Sequence, residues 1–184
     1  VDVLVTAAYK WLCGQFGSAA MYLAPRLQTT LNPGLVGFRS HHNIWDLDAS
    51  RMQLPADASR FEASTMSFGT AQGLAKAVDF LCDVGIERIH AHDLALSDKL
   101  INGLHTLGAD VLSPPAKCTP LQLRSPIVTC RFAGVQMDEL IVALRQRGVW
   151  ASNRGGHLRF SPHLYNVTAD IDMALTELEA TLKQ

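Results

Sequence analysis

From residue 68 onward, apolar stripes with helical spacing alternate with short strand-like runs, and glycine ends three of the four stripes. The stripes lie at residues 74–82, 86–107, 137–144 and 171–182. The runs at residues 126–132, 149–152 and 157–161 predict short strands. Because a helix with one apolar face must bury it against another layer, the pattern predicts helices on one side of a small antiparallel sheet.

The chain divides into two zones by sequence pattern. Residues 1–67 open with a strand over Val1–Val5 and a second strand over Ser18–Leu23, followed by a long stretch of turn residues without a sustained period. Residues 68–184 carry the helical stripes and predict a small α+β domain. Long irregular stretches in compact proteins are often functional or form interfaces.

Composition excludes several classes of protein. The chain has 184 residues, 48% of them hydrophobic and 18% charged, so an extensive core is expected. The net charge of -1 gives no reason to expect nucleic acid or an anionic membrane as a partner, and no apolar run is long enough to span a bilayer. The first residues lack a signal-peptide pattern, so a cytoplasmic location is expected.

Cysteine and histidine predict neither a metal site nor a disulfide framework. The four cysteines are far apart and form no C-x-x-C pair: Cys13, Cys82, Cys118 and Cys130. Cys82 fits the apolar stripe of a helix and is expected to be a buried, reduced thiol. The pairs His41–His42 and His90–His92 lack the carboxylates or thiolates that would complete a site, so no metal is expected.

One lysine stands in an unusual local setting. Lys10 follows the opening strand and precedes a turn bracketed by Gly14 and Gly17, so it is held at the end of a strand pair. α/β enzymes often carry their chemistry at such strand ends, whereas a lysine elsewhere is usually a solvated surface charge. The pattern makes Lys10 a candidate functional residue, with the surface charge as the alternative.

Three segments together resemble a known family. The segments are "AAYKWLCGQFGSAAMYL", "RFEASTMSFG" and "GGHLRFSPHLYNVTADID". In this order and separation they resemble the cofactor-lysine segment, the R-F-E-x-G-T segment and the arginine strand of the class V aminotransferase group of fold-type I pyridoxal-phosphate enzymes. The resemblance covers the whole chain but only the C-terminal half of the family's usual length. It implies an α/β fold, in which residues 1–67 are a remnant of the large cofactor-binding domain.

The resemblance assigns roles to four residues. Lys10 matches the lysine that forms a Schiff base with pyridoxal phosphate, and Arg159 matches the arginine that binds the substrate's α-carboxylate. Thr65 matches a threonine that reaches the cofactor phosphate from the neighbouring subunit of a dimer. Tyr9 stands where kynureninase-like members place a tyrosine on the phosphate. An amino-acid substrate and a homodimer are therefore implied, with a structural ion pair as the alternative role of Arg159.

The chain also departs from the family pattern. Ser64 replaces a usual glycine, Ala7 a usual polar residue and Gln15 a usual proline. The loop before Arg159, "ASNRGG", has no cysteine where cysteine desulfurases carry their nucleophile. The resemblance therefore favours epimerase-like or kynureninase-like members over desulfurases.

The family's other cofactor-binding residues precede the lysine, and only nine residues precede Lys10 here. The expected phosphate loop, stacking ring and pyridine-binding aspartate are thus outside this sequence, and Asp2 is too close to Lys10 to be that aspartate. Three interpretations stay open: a fragment of a longer protein, a split-gene half that needs a separate N-terminal half, or a truncated, inactive relative that serves as a dimeric scaffold. In each case, this chain by itself is expected to be inactive.

Overall fold

The computed structural model describes residues 1–48, 50–114 and 119–183, so Cys118 lies outside the described residues. The chain forms two compact units, Val1–Asp83 and Val84–Gln184. The helix of residues 68–84 belongs mostly to the first unit, and the division after residue 67 drawn from the sequence stays a prediction. Within the described residues, no helix is both long and apolar enough to cross a membrane.

The first unit is built around a two-stranded antiparallel ribbon. Strand β1 is Val3–Ala7 and strand β2 is Ala19–Leu23, with Val3 opposite Leu23 and Ala7 opposite Ala19. A short helix α1, Pro25–Gln28, follows β2, and the 17-residue helix α2, Phe68–Val84, ends the unit. The segment between them contains two short 3₁₀ turns, Phe38–Ser40 and Ala58–Phe61, so the predicted irregular stretch is confirmed.

The second unit is a layer of helices on an antiparallel sheet, as the sequence predicts. The sheet order is β3-β4-β6-β5, with every neighbouring pair antiparallel. The strands are β3 Asp110–Val111, β4 Val128–Arg131, β5 Ser152–Arg154 and β6 His157–Phe160. The helices are α3 Ile86–Thr106, α4 Met137–Gln146 and α5 Thr168–Leu182.

One face of this sheet carries the core. Leu158 and Phe160 of β6 and Val128 of β4 belong to the same buried cluster as apolar residues of all three helices. Side chains alternate between the two faces of a strand, so Arg159 and Thr129 project to the opposite face. The sheet therefore has one face buried under helices and one face that displays polar side chains.

The expectation that Cys82 is buried is wrong. Cys82 lies on α2 as the stripe predicts, but its side chain is exposed, because α2 buries only Leu81 fully. Among the three cysteines that the structure describes, the buried thiol is Cys130, which belongs to the second unit's core.

Candidate functional site

Lys10 lies in a tight turn directly after β1. The backbone N–H of Cys13 donates to the Lys10 carbonyl at 3.0 Å, and Gly14 N–H donates to the Ala8 carbonyl at 2.8 Å. Cys13 adopts φ 55°, and a Cβ on Gly14 would lie only 3.0 Å from Ala8 Cβ, so the turn needs a residue without a side chain there. The turn is fixed by backbone bonds, while the Lys10 side chain is exposed.

One aromatic ring lies beside the lysine amine. The Tyr9 ring stacks on Phe16, with centroids 4.3 Å apart, and Lys10 Nζ lies 5.4 Å from the Tyr9 ring centroid. This distance is within the range of a cation–π contact. Phe16 is 77% exposed, so the stack forms an open wall beside Lys10 rather than part of the core.

The segment before Thr65 is held in place by the 3₁₀ turn at Phe38–Ser40. Ser40 Oγ donates to the Glu62 carbonyl at 2.8 Å, and Arg39 donates two hydrogen bonds to the Glu62 carboxylate. A Cβ on Gly37 would lie 2.0 Å from the Ala63 carbonyl oxygen, so only glycine permits this close approach. Thr65 itself is exposed just beyond this anchor. Sequence reasoning missed Gly37 and Ser40, because their partners lie more than twenty residues away.

The Lys10 and Thr65 segments both contribute to one cavity in the first unit. The cavity has a volume of about 480 Å³. It is lined by Gly17 and Ser18 from the turn after Lys10, and by Met66 and Ser67 from the segment after Thr65. The fold of this unit therefore brings the two family-like segments together, although the Lys10 and Thr65 side chains do not line the cavity.

Arg159 lies in the middle of the second unit's sheet. It is opposite Thr129 on one neighbouring strand and Ser152 on the other, so both of its cross-strand neighbours carry a hydroxyl group. Its Nε is buried and has no hydrogen-bond partner among the described residues. A buried, unpaired N–H is unfavourable, and Arg60 Nε in the first unit is in the same situation.

The loop after Arg159 is fixed by a chain of hydrogen bonds. Asn166 accepts from the His163 backbone N–H through Oδ1 and donates to Asp170 through Nδ2. Asp170 also accepts from the Val167 N–H at 2.9 Å, and these bonds hold the pKa of its carboxyl below the usual value. His92 on α3 bonds the Asn166 carbonyl at 2.9 Å. Asp170 therefore caps the start of α5, with Asn166 supporting it.

Histidine and carboxylate side chains do not cluster as metal ligands do. Among the described residues, no group of three or more histidine, cysteine, aspartate or glutamate side chains could hold a metal ion. His41 is instead buried in its own loop, with Nε2 2.5 Å from the Arg51 carbonyl.

Known proteins of similar sequence and similar fold include cysteine desulfurases. Relatives include a probable cysteine desulfurase from Synechocystis, which is 25% identical over 198 residues covering 99% of this chain and 45% of its own length. A cysteine desulfurase structure from Thermococcus onnurineus superposes with a TM-score of 0.85 at 22% identity, covering 99% of this chain and 47% of its own. A C-DES variant that carries glycine covalently linked to its PLP cofactor superposes with a TM-score of 0.80 at 20% identity, covering 97% of this chain and 46% of its own.

The chain thus spans less than half the length of these relatives. The model of the family described as aminotransferase class-V matches residues 1–173, which is nearly the whole chain. The chain belongs to the class-V aminotransferase family.

Proposed function

We propose that this chain is the C-terminal portion of a pyridoxal-phosphate-dependent class V enzyme that acts on an amino acid. In this proposal Lys10 holds the cofactor through its amine, Tyr9 and Thr65 bind its phosphate, and Arg159 binds the substrate carboxylate. The observation that carries the proposal is the Arg159 guanidinium, which has a buried, unpaired Nε on the open face of the sheet.

The environment of Arg159 supports a role in binding a carboxylate. An arginine kept for a structural ion pair would have its acidic partner in the fold, as Arg147 has Glu177 at 2.8 Å. Arg159 instead has the hydroxyl residues Thr129 and Ser152 on either side. A planar guanidinium can bind a carboxylate with two parallel hydrogen bonds, and flanking hydroxyls can bind the same oxygens.

The residues of the first unit fit the cofactor in part. The exposed Lys10 amine can be reached from solvent, and the Tyr9 phenol can donate to a phosphate oxygen. Asp2 does not serve the pyridine nitrogen in this proposal, because it pairs with Arg26 at the start of β1. When bound, pyridoxal phosphate supplies an electron sink for reactions at the substrate's α-carbon. Lys10, tethered at the same place, can then accept and return the α-proton.

We further propose a reaction that does not need a protein thiol. The relatives described above are named cysteine desulfurases, but the segment at residues 151–156 has no cysteine. The exposed thiols of Cys13 and Cys82 lie in the first unit, outside the arginine segment. Epimerisation, transamination or a lyase reaction, in which an amine moves the proton, fits the residues better than sulfur transfer.

The test of this proposal is cofactor binding by the purified chain with and without the missing half of the fold. Pyridoxal phosphate is titrated and its visible absorbance recorded, followed by borohydride reduction and mass spectrometry to locate the modified lysine. Because this chain spans less than half the length of its relatives, weak or no binding is expected from these 184 residues alone. Saturable binding at Lys10 is expected when a polypeptide that supplies the rest of the family fold is added.

Two variants make the result specific. Lys10→Ala should abolish the saturable signal, and Lys76→Ala, which removes a fully solvated lysine on α2, should leave it unchanged. Labelling spread equally over Lys10 and Lys76 would refute the assignment of Lys10.

The second candidate is a dimeric scaffold without catalytic activity. It is favoured by the exposed apolar residues of the irregular stretch, of which Trp45 is 80%, Leu47 77% and Leu35 73% exposed. Exposed apolar groups of this size usually mark an interface. Light scattering should show a dimer for both candidates. A chain that stays dimeric but never binds cofactor, even with the missing half present, would favour the scaffold.

A further inference from the structure

The second unit contains a cavity that the proposed function does not use. The cavity has a volume of about 300 Å³ and lies where α5 begins, beside the end of β6. It is lined in part by Leu100, Phe160 and Ile171, which belong to the buried core cluster. Side chains alternate along β6, so Phe160 projects to the face opposite Arg159, and the Arg159 guanidinium does not line the cavity. The cavity therefore lies on the helix-covered side of the sheet.

An exposed aromatic residue forms one wall of this cavity. Trp150 lines the cavity and is 76% exposed. The Arg145 guanidinium carbon lies 4.8 Å from the centroid of the Trp150 ring, which is within the range of a cation–π contact. A guanidinium covers only one face of an indole, and Arg145 does not itself line the cavity. The contact holds the ring in place, so a ligand that stacks on the open face does not have to immobilise it.

The carboxylate of Asp170 is the one charged group among the described residues that line the cavity. Its Oδ2 accepts hydrogen bonds from the Asn166 side chain at 3.1 Å and from the Val167 N–H at 2.9 Å. These bonds lower the pKa of the carboxyl, so Asp170 is anionic at neutral pH. Its Oδ1 has no hydrogen bond within the part of the chain that the structure describes. Oδ1 is therefore the acceptor that a ligand in the cavity can use.

We propose that this cavity binds a small organic ligand in which a protonated amine is joined to a flat apolar ring. The amine donates to Asp170 Oδ1, and the ring stacks on Trp150. A hydrogen bond from an ammonium group to a carboxylate is stronger than a bond between neutral groups, and it needs both charges. Stacking on the indole adds to the apolar area that the ligand removes from water. The pair of an aromatic wall and a carboxylate therefore selects both parts of such a ligand.

The lining residues disfavour other classes of ligand. An anion would meet the charge of Asp170 with no cationic side chain among the described lining residues to offset it. A purely apolar ligand would cover the carboxylate without giving it a donor, which is unfavourable. The volume of the cavity is that of about ten water molecules, so the ligand is expected to have about ten non-hydrogen atoms. Phe160, Ile171 and Met173 supply apolar contacts for its ring.

Titration of the whole chain with 2-phenylethylamine at pH 7 tests the proposal. NMR follows the indole N–H of Trp150, assigned with Trp150→Phe, and calorimetry measures the dissociation constant. Saturable binding with a dissociation constant of about 1 mM or lower is expected for a ligand of this size. 2-Phenylethanol has the same shape without the charge and should bind at least about fivefold more weakly. 3-Phenylpropanoate, which carries a negative charge, should cause no saturable shift.

Three variants separate the contributions of the ring and the carboxylate. Trp150→Ala should weaken binding of the amine by at least about tenfold. Trp45→Ala is the matched control, because Trp45 is 80% exposed in the first unit, and it should leave the dissociation constant within about twofold. Asp170→Asn should weaken the amine by at least about fivefold but leave 2-phenylethanol within about twofold. A loss of folding would weaken both ligands equally, and circular dichroism verifies that each variant remains folded.

Any of three results would overturn the proposal. The first is the absence of a saturable shift at Trp150, and the second is equal affinity for the amine and the alcohol. The third is binding of the amine that Asp170→Asn leaves unchanged. The titration is run without pyridoxal phosphate, and Lys10→Ala should bind the amine as the wild type does. A failure of the proposed cofactor role therefore leaves this test unaffected.

Discussion

Replacing Arg159 by methionine should make the second unit more stable, which is the opposite of what a structural arginine would do. The buried Nε of Arg159 has no acceptor among the described residues. An unsatisfied buried polar group is unfavourable by about 1–3 kcal/mol. Since the side chain as a whole is only half-buried, we expect the low end of this range. Arg159→Met should therefore raise the free energy of unfolding by about 1 kcal/mol.

Urea unfolding of the second unit measures this change. In a background with Trp11→Phe and Trp45→Phe, Trp150 is the one tryptophan left in the sequence, and its fluorescence reports on this unit. With a urea dependence of about 2 kcal/mol/M, the expected gain moves the midpoint upward by roughly 0.5 M.

Arg147→Met is the matched control for this measurement. Arg147 pairs with Glu177 between the end of α4 and α5, and this pair is partly exposed. Its loss should lower the free energy of unfolding by up to about 1 kcal/mol. If Arg159→Met lowered stability as Arg147→Met does, Arg159 would have a structural partner and the carboxylate-binding role would lose its main support.

Three further predictions concern packing, pH and thiol reactivity. Gly103→Ala places a Cβ 2.2 Å from Leu175 Cδ1 and should lower the free energy of unfolding, measured in urea, by about 1–3 kcal/mol. In a Leu175→Ala background the clash is removed, so the same substitution should raise the free energy of unfolding, because alanine favours the helix over glycine. Asp170 has a lowered pKa, so its contribution to the free energy of unfolding is present above its unfolded pKa of 3.8 and is lost as pH falls through the folded pKa. Asp170→Asn should therefore reduce the dependence of the urea midpoint on pH between pH 5 and pH 2, and an unchanged pH dependence would contradict this. Burial raises the pKa of the Cys130 thiol to about 12, so iodoacetamide at pH 8 should label the exposed Cys82 and spare Cys130 until urea is added. Equal labelling of the two cysteines in the native protein, measured by mass spectrometry, would contradict this prediction.

Helices α2, α3 and α4 could be predicted from the sequence because each has a local signal at both its apolar face and its end. The apolar stripe of α3 and the φ of 80° at Gly108 place its end at Thr106, one residue before the last stripe residue. Gly148 has φ 82° and ends α4 in the same way. These signals act within one or two turns of a helix, so they need no knowledge of the rest of the fold.

The short strands were harder to place. The strand predicted at residues 149–152 is found at Ser152–Arg154, because Gly155 and Gly156 form the turn to β6 and the strand must run up to them. Strand β3 has two residues, which is too short for an alternating pattern. Register is set by the packing of the whole sheet, so the sequence did not reveal that Thr129 and Ser152 flank Arg159.

Strand β1 combines a strand-forming sequence with exposed apolar side chains. Its apolar run was read correctly as a strand, since β-branched residues favour that conformation. The same run leaves Val5 67% exposed in a two-stranded ribbon, where alternating polar residues would be expected on the uncovered faces. A strand under selection only in this ribbon would gain by placing charges at Val5 and Leu4, because these would block unwanted pairing. The exposed side chains of Leu4 and Val5 therefore lack the polar character that an uncovered two-stranded ribbon favours.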